Sequence, residues 1–363
     1  MEKKLNFDFK TMQYIINRIS LIDSFKGKWS ALEKKESRYL RELRHIATIE
    51  SIGSSTRIEG ATLTDGEVEK LLKSVKMTKM KSREEQEVMG YYEALDVVLD
   101  SYSDIPLTEP YIQQLHGILL KHSSKDTRHR GGYKNLSNKV VANYPGGKQS
   151  VIFNTTEPHL VKKEMEVLIT WTDKAFEKGE LHPLIIIGTF VYEFLSVHPF
   201  QDGNGRLSRL LTTLLLLRHD YPFIQYISFE NLIEARKKEY YKALMTGQKN
   251  RYKNEEKIDQ WIVFFLDCIA GLITKLEIKY AAFSKKGAYL NERQKAILAV
   301  IKKKAPVKFS DIVETLPKVS PNTLKKDLLY LIAEERISKT GQGRGTVYGI
   351  KEKEKKQESI SLI

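Results

Sequence analysis

Two long apolar runs with a short polar linker between them constrain this chain more than any other feature. The runs span residues 184–195 and 207–217, and Gly188 is the only glycine or proline within them. Both runs are longer than a typical strand, so we interpret them as two buried helices. The linker, residues 198–209, gathers an imidazole, a carboxylate, two glycines and two guanidinium groups. The sequence therefore predicts a turn between two core helices that carries more chemistry than a turn requires.

The composition is that of a soluble globular protein. Of 363 residues, 41% are hydrophobic and 29% are charged, which is enough apolar material for two or three domains. The net charge of +14 favours an anionic partner without identifying its class. The apolar runs are too short to span a bilayer and no signal peptide follows Met1, so we expect a cytoplasmic protein without a membrane partner. The single cysteine, Cys268, lies in an apolar helical pattern and is expected to be buried.

Helical periodicity dominates the first 283 residues, and the predicted fold class is mainly α. We predict an N-terminal helical region at 1–100 and a core at 101–283 that contains the polar linker. Alternating apolar residues around a Tyr-Pro-Gly-Gly turn predict one β-hairpin at 139–154. Further helices are predicted at 106–123, 157–171, 228–246 and 255–283.

The pattern changes after a boundary predicted near 284–290. Three short helices and two short strands follow, which predict a winged helix-turn-helix at 286–350 and then a charged tail at 351–363. The helices are predicted at 291–304, 309–315 and 320–335, and the strands lie within 337–350. Residues 285–350 hold 14 Lys and Arg against 6 Asp and Glu, a net charge of +8.

The linker contains the parts of an anion-binding site. Gly203, Asn204 and Gly205 open the second apolar helix, where glycine lets backbone N–H groups converge and the helix N-terminus adds positive potential. Arg206 and Arg209 are three residues apart, so they share one face of the helix and can hold two phosphates of one ligand.

Asp202 and His198 add the remaining chemical groups. Asp202 can hold Mg²⁺, which takes one or two carboxylates and completes its coordination with phosphate and water. His198 ends the preceding helix with an imidazole that accepts a proton near neutral pH. Together these groups predict attack by a hydroxyl on a phosphoryl group. Dinucleotide and P-loop motifs are excluded, because no strand precedes the glycines, the third glycine is missing and no Gly-Lys-Ser/Thr follows.

The linker His-Pro-Phe-Gln-Asp-Gly-Asn-Gly-Arg-Leu-Ser-Arg resembles the signature of the Fic domain family, His-x-Phe-x-Asp/Glu-Gly-Asn-Gly-Arg-x-x-Arg, at all eight fixed positions. The resemblance implies a Fic-type helical bundle and protein adenylylation. In that reaction, AMP moves from ATP to the hydroxyl of a protein Tyr, Ser or Thr, and pyrophosphate leaves. The related phosphotransferase branch replaces some of the glycine and acid positions, which this chain keeps.

The same resemblance implies a role for each linker residue. These roles are the base (His198), the Mg²⁺ ligand (Asp202), the anion hole (Gly203, Asn204 and Gly205, with Asn204 on the α-phosphate), the β- and γ-phosphate contact (Arg206) and the γ-phosphate contact (Arg209). Phe200 is expected in the core. Tyr240 or Tyr241 would lie against adenine, and we assign the nucleotide contact to Tyr241, although paired tyrosines at helical spacing more often pack in a core.

Residues 55–60 resemble the inhibitory motif of the family, Ser/Thr-x-x-x-Glu-Gly/Asn, with Ser55 and Glu59 at its fixed positions. A pair between Glu59 and Arg209 would withhold that guanidinium from the γ-phosphate and prevent ATP from aligning for attack. In the alternative interpretation, Glu59 is a surface carboxylate that pairs with Arg57 or Lys70 and contributes little.

Several partners and functions stay open at this stage. The hairpin at 139–154 resembles the family's flap, on which a target protein would add a strand. The alternatives to adenylylation are removal of AMP, with Glu59 orienting water, and a DNA-binding regulator whose Fic domain senses nucleotide. In the latter, Lys325, Lys326 and Arg344 would face DNA phosphates, although winged helices also dock proteins. A homodimer is also open.

Overall fold

The computed structural model describes residues 2–33, 38–74, 80, 82–143, 149–253, 255–286, 292–317, 319–333, 336–341 and 343–351. These residues divide into two compact units, Met1–Tyr280 and Ala281–Ile363. The division falls inside a helix, a few residues before the predicted boundary at 284–290. Among the described residues, no helix combines the length and apolar composition needed to cross a bilayer.

Helices and one antiparallel hairpin build the first unit. Its elements are α1 (Phe9–Glu33), α2 (Arg38–Ile58), α3 (Asp65–Ser74), α4 (Arg83–Ser101), α5 (Glu109–Leu119), β1 (Lys139–Asn143), β2 (Gln149–Asn154), α6 (Pro158–Lys178), α7 (Pro183–Val197), α8 (Asn204–Arg218), α9 (Phe229–Ala235), α10 (Lys237–Gln248) and α11 (Asp259–Lys286). The mainly α class and the hairpin are thereby confirmed. The predicted hairpin turn includes residues 144–148, which lie outside the described residues.

The two apolar runs form α7 and α8, which are the most buried helices of the unit. All side chains of α7 from Leu184 to Val197 are buried, as are those of α8 from Arg206 to Leu217. Helix α11 approaches α7 closely at Gly188, where a Cβ atom would lie 3.0 Å from the Ile262 and Phe265 side chains. The apolar content of the runs therefore reflects burial on all sides.

Two of the predicted helices depart most from the structure. Helix α6 continues past residue 171 to Lys178 and ends where Gly179 adopts a left-handed φ of 64°. The single helix predicted at 228–246 is interrupted at Arg236, whose φ of −110° and ψ of 26° are not helical. The Arg236 guanidinium pairs with Glu239 and lies over the Phe264 ring. These tertiary contacts leave no mark in a helical pattern.

The second unit has the order helix, strand, helix, helix, strand, strand. Its elements are α12 (Glu292–Lys304), β3 (Val307–Lys308), α13 (Phe309–Thr315), α14 (Pro321–Ala333), β4 (Ile337–Thr340) and β5 (Val347–Ile350). The strands form one antiparallel sheet in the order β3-β5-β4. Strand β3 was not predicted, because two residues carry no alternation. This order is the one that a winged helix-turn-helix interpretation requires, and that interpretation stays a prediction. The tail 352–363 lies outside the described residues.

Candidate active site

The polar linker forms a loop with sharp turns at both ends. His198 follows α7 in the left-handed region at φ 52°, and its N–H donates to Phe194 O at 2.9 Å. Gly203 precedes α8 at φ 80°, a conformation that side chains disfavour, so the backbone requires glycine here. The first N–H groups of α8 have no acceptor within their own helix. The loop therefore presents a helix N-terminus beside an imidazole.

Phe200 anchors this loop in the core, as expected. Its ring is fully buried and stacks on His116 at a centroid distance of 3.8 Å. Phe200 N donates to Asn204 Oδ1 at 2.9 Å, and Asn204 Nδ2 donates to Phe200 O at 2.7 Å. Both polar atoms of the Asn204 carboxamide thus hold the loop, whereas the family resemblance assigns this side chain to the α-phosphate.

His116 supports the loop through hydrogen bonds, and no sequence pattern indicated this role. Its Nδ1 accepts from Gly131 N at 2.8 Å, so Nε2 carries the proton and donates to Asp202 O at 3.0 Å. Burial lowers the pKa of this imidazole to about 4 and keeps it neutral. A lone histidine between two backbone partners has no sequence signature.

His198 has the tautomer and the charge of a base. Its Nδ1 lies 3.2 Å from Leu195 O. Because a carbonyl oxygen only accepts, Nδ1 carries the proton and Nε2 keeps its lone pair. Burial and then the positive charge of Lys134 lower the pKa of His198 to about 4. The imidazole is therefore neutral, and able to accept a proton, throughout the physiological range.

A cleft of about 210 Å³ brings most of the predicted site residues together. Its lining includes His198, Asp202, Gly203, Asn204, Gly205, Arg209, Glu59, Tyr240 and Tyr241. The start of the hairpin borders it through Lys139 and Val140. Of the predicted residues, Arg206 and Ser55 lie behind this lining. The pair Tyr240 and Tyr241 is both packed and cleft-lining, since the two rings meet edge to face at 5.1 Å.

Asp202 is ionised and lies just before the N-terminus of α8. Its Oδ1 accepts from Gly203 N at 2.6 Å and lies 3.4 Å from Arg206 Nη2, while its Oδ2 lies 3.4 Å from Arg83 Nη2. Burial raises the pKa of Asp202, but the Arg206 charge and the Gly203 N–H outweigh this and hold it below its usual value. No group of three His, Cys, Asp or Glu residues suits a metal ion among the described residues. A single ionised carboxylate fits a Mg²⁺ that arrives with phosphates and keeps its waters.

Arg206 is almost fully buried next to the cleft. Its side chain is 2% exposed, and its Nη1 lies 3.6 Å from Glu87 Oε2. Within the part of the chain that the structure describes, its Nε and Nη1 have no hydrogen-bond acceptor. Buried donors are normally satisfied, so these nitrogens are suited to an anionic ligand.

Arg209 is engaged by the predicted inhibitory motif. Its Nε donates to Ser55 Oγ at 2.9 Å, and its Nη2 donates to Ser55 O at 2.9 Å and to Glu59 Oε1 at 2.8 Å. These contacts join residues 150 or more positions apart in sequence. The alternative pairing of Glu59 with Arg57 is wrong, because Arg57 binds Glu234 and Asp65.

The Glu59 carboxylate also covers the first turn of α8. A Cβ atom on Gly205 would lie 2.2 Å from Glu59 Oε1. A side chain at position 205 would therefore fit only if the Glu59 carboxylate moved away. Glu59 therefore occupies space directly over the predicted anion cradle, besides holding Arg209.

The sequence also gave no sign of Lys134, which lies at the base of the hairpin. Its side chain is 2% exposed, and its Nζ donates to Asn138 Oδ1 at 2.8 Å and to Thr155 Oγ1 at 2.7 Å. A single lysine in a turn-rich segment is expected at the surface, so only its burial in the structure indicates that Lys134 has a structural role.

Residues 106–216 match the sequence model of the Fic/DOC family, and this range contains the loop, His116 and Lys134. The chain contains a Fic/DOC family domain. It is 26% identical over 253 residues to the protein adenylyltransferase Fic of Drosophila willistoni, and 27% identical over 253 residues to that of Drosophila melanogaster. Each alignment covers 69% of this chain and 46% of the relative, so the chain spans about half the length of these curated relatives.

Solved structures with a Fic domain share this fold. A Fic family protein from Desulfovibrio desulfuricans aligns with a TM-score of 0.63 at 23% identity, over 94% of this chain and 96% of that one. A Fic domain signalling protein from Bacteroides thetaiotaomicron aligns with a TM-score of 0.59 at 23% identity, over 72% of this chain and 97% of that one. The predicted Fic-type helical architecture is thereby confirmed.

Proposed function

We propose that this chain is a protein adenylyltransferase that transfers AMP from ATP to a Tyr, Ser or Thr hydroxyl, including hydroxyls of its own, and that Glu59 restrains it. The observation that carries the proposal is the shared cleft, in which a neutral imidazole, an ionised carboxylate and a helix N-terminus meet. The curated relatives named as adenylyltransferases support the same reaction class.

Each group has a step in this reaction. The protein hydroxyl loses its proton to His198 Nε2 while its oxygen attacks the α-phosphorus of ATP. The bond from the α-phosphorus to the bridging oxygen breaks, and pyrophosphate leaves. The α8 N-terminus and Arg206 offset the negative charge of the phosphates. Asp202 would hold the Mg²⁺ that accompanies ATP, and this ion would supply further charge neutralisation.

The proposed restraint follows from the contacts of Glu59. While it binds Arg209 and covers Gly205, neither the guanidinium nor the space over the cradle is open to a triphosphate. The cleft volume of about 210 Å³ is below the roughly 300–1,000 Å³ of typical small-molecule sites. Removal of the carboxylate would enlarge the cleft and release Arg209 together.

The hairpin is the proposed docking site for a protein substrate. Strands β1 and β2 pair with each other, so each keeps one edge for an added strand among the described residues. The hairpin also borders the cleft that contains His198. A substrate strand on this edge would bring its hydroxyl toward the base.

The test is transfer of label from ATP in the presence of Mg²⁺. We expect the Glu59→Gly variant to become labelled by [α-³²P]ATP and to stay unlabelled by [γ-³²P]ATP, because AMP is the group that moves. Label from the γ-position would refute nucleotidyl transfer in favour of phosphotransfer. Absence of label from both would refute self-modification, and the same assay in lysate would then test other target proteins.

Removal of AMP is a second proposed activity, because the Glu59 carboxylate lies in the same cleft as His198 and can orient water. Incubation of a pre-adenylylated target with the parent chain and with Glu59→Gly separates the two. Release of AMP by the parent, lost in the variant, supports removal. Retention of all AMP by both proteins refutes it.

DNA binding is a separate proposal for the second unit. Lys325 and Lys326 are exposed on α14, in the position of the recognition helix. The Arg344 side chain lies outside the described residues. We expect the full chain to shift duplex DNA in a salt-dependent manner, and Lys325→Glu with Lys326→Glu to abolish the shift. Equal mobility with and without protein would refute this proposal.

A further inference from the structure

Lys134 is a buried cation at the point where the hairpin meets the loop of residues 198–203 between α7 and α8, which we call the active-site loop. Its side chain is 2% exposed, and no carboxylate lies within ion-pair distance of its Nζ among the described residues. Burial lowers the pKa of its ammonium to about 8, against the attraction of Glu157 and Glu164. A buried charge without a paired charge is costly, so its partners decide what it does.

The ammonium donates one hydrogen bond to each of three separate segments. Its Nζ donates to Asn138 Oδ1 at 2.8 Å, to Thr155 Oγ1 at 2.7 Å and to Val197 O at 3.3 Å. Asn138 directly precedes β1, and Thr155 directly follows β2. Val197 is the last residue of α7. One nitrogen therefore joins both ends of the hairpin to the helix that leads into the active-site loop.

The same segment braces His198 from both sides in sequence. The Lys134 side chain reaches the carbonyl of Val197, and the Lys134 backbone N–H donates to Pro199 O at 2.9 Å. Asn138 adds a hydrogen bond from Nδ2 to Phe200 O at 2.9 Å. His198 has a positive φ of 52°, which is unfavourable for a residue with a side chain, so contacts on its two neighbours help to hold it there.

We propose that Lys134 is a positioning residue that couples the hairpin to the base, because its ammonium ties both hairpin ends to the loop that holds His198. The catalytic consequence rests on the proposed transferase function, with a protein substrate docked on the hairpin. The coupling itself is a property of the fold. A strand added to the hairpin restricts the motion of β1 and β2. Through its hydrogen bonds, Lys134 then restricts the motion of the loop on either side of His198.

The charged groups around His198 make the coupling measurable. The positive charge of Lys134 disfavours the imidazolium form of His198, whereas the negative charges of Glu59 and Asp202 favour it. Removal of the ammonium removes one of the two causes that lower the pKa of His198, while burial still opposes the two carboxylates. The pKa of His198 should then rise from about 4 toward the usual value of about 6.5.

The test compares three variants of the full chain. Lys134→Met keeps an unbranched side chain as far as the ε position and removes the ammonium. Thr155→Val keeps the shape and removes one acceptor of Lys134 at the hairpin end, together with the hydrogen bond that Thr155 Oγ1 donates to Asn138 Oδ1 at 2.6 Å. Lys163→Met removes an exposed lysine from α6 and is the matched control. Thermal melting establishes that each variant folds, and hydrogen exchange with mass spectrometry reports on the hairpin and the loop.

We expect Lys134→Met to accelerate exchange in both the hairpin strands and residues 197–200, and to raise the pKa of His198 in an NMR titration. Thr155→Val should accelerate exchange in the hairpin and leave the His198 titration near that of the parent, while Lys163→Met should match the parent in both. If Lys134→Met has the same hydrogen-exchange rates and the same His198 pKa as the parent, the proposal is overturned. If Lys134→Met does not fold, Thr155→Val decides, and unchanged hairpin exchange there overturns it.

Kinetics then test the catalytic consequence. In the Glu59→Gly background, Lys134→Met should lower kcat by about tenfold or more while KM for ATP stays within about twofold, because misalignment of the base affects the transfer step and not ATP binding. Equal kcat values would overturn the coupling to catalysis. Exchange and titration need no turnover, so absence of transfer in every protein would reject the proposed function and leave the Lys134 inference to those two measurements.

Discussion

Replacement of Glu59 by glycine is the perturbation that most directly tests the proposed restraint of this site. Three hydrogen bonds hold Arg209, and two of them, to Ser55 Oγ and Ser55 O, survive the substitution. The third joins a guanidinium to a carboxylate at 2.8 Å. A hydrogen bond of this charged kind contributes about 1.5–3 kcal/mol.

The position of Glu59 reduces that figure. Its side chain is 36% exposed, whereas that of Arg209 is 3% exposed, so solvent screens the pair from one side. We therefore take about 1–2 kcal/mol as the free energy that opposes ATP. Since 1.4 kcal/mol corresponds to a factor of ten, Glu59→Gly should raise the rate of labelling by about 5- to 30-fold.

The assay is self-labelling with [α-³²P]ATP and Mg²⁺ at an ATP concentration well below saturation. Glu59→Gln keeps the volume and an acceptor oxygen but not the charge, so it should give a smaller rise than glycine. Glu180→Gly, an exposed glutamate after α6, is the matched control and should label like the parent. Equal labelling of parent and Glu59→Gly would refute the restraint, and a larger rise for glutamine than for glycine would refute the role of cleft volume.

The remaining predictions concern the base, the metal ligand and pH. His198→Ala in the Glu59→Gly background should lose transfer by a factor of about 100 or more, because the neutral imidazole is the group proposed to accept the proton, while ATP binding measured by calorimetry is retained; undiminished transfer would remove His198 from this role. Asp202→Asn should raise the Mg²⁺ concentration needed for half-maximal transfer by about tenfold or more, and an unchanged Mg²⁺ titration would show that Asp202 is not the ligand. His116 has a pKa of about 4 in the folded chain against about 6.5 when unfolded, so the unfolded state takes up its proton first and stability is lost as pH falls from about 6.5 to about 4. The full effect is about 3 kcal/mol, and urea unfolding of the parent and His116→Asn across this range should show a weaker pH dependence in the variant.

Local chemistry made a large part of the site predictable. The residues of 198–209 are adjacent in sequence, so any fold that turns between α7 and α8 keeps the imidazole, the carboxylate and the glycines close together. Burial of Phe200 and Cys268 followed from apolar context alone, and both are fully buried. Burial raises the pKa of the Cys268 thiol to about 12, consistent with a packing role.

Side-chain orientation within the linker was not predictable. Asn204 and Arg206 are residue types that often bind ligands. The Asn204 carboxamide nevertheless binds the Phe200 backbone, and Arg206 lies behind the cleft lining. Which way a polar side chain points depends on the acceptors that the fold provides nearby. A sequence pattern specifies the residue types and not those acceptors.

By itself, the sequence determined the mainly α class, the hairpin and the composition of the candidate active-site loop, because helical periodicity and a contiguous motif are local properties of the chain. The tertiary structure decided the contacts that cross it. Only the folded chain brings Glu59 onto Arg209 across 150 positions, and only it buries Lys134 between the hairpin and α7. Such contacts depend on how helices and loops pack against one another, and packing joins residues whose separation in sequence carries no periodic signal.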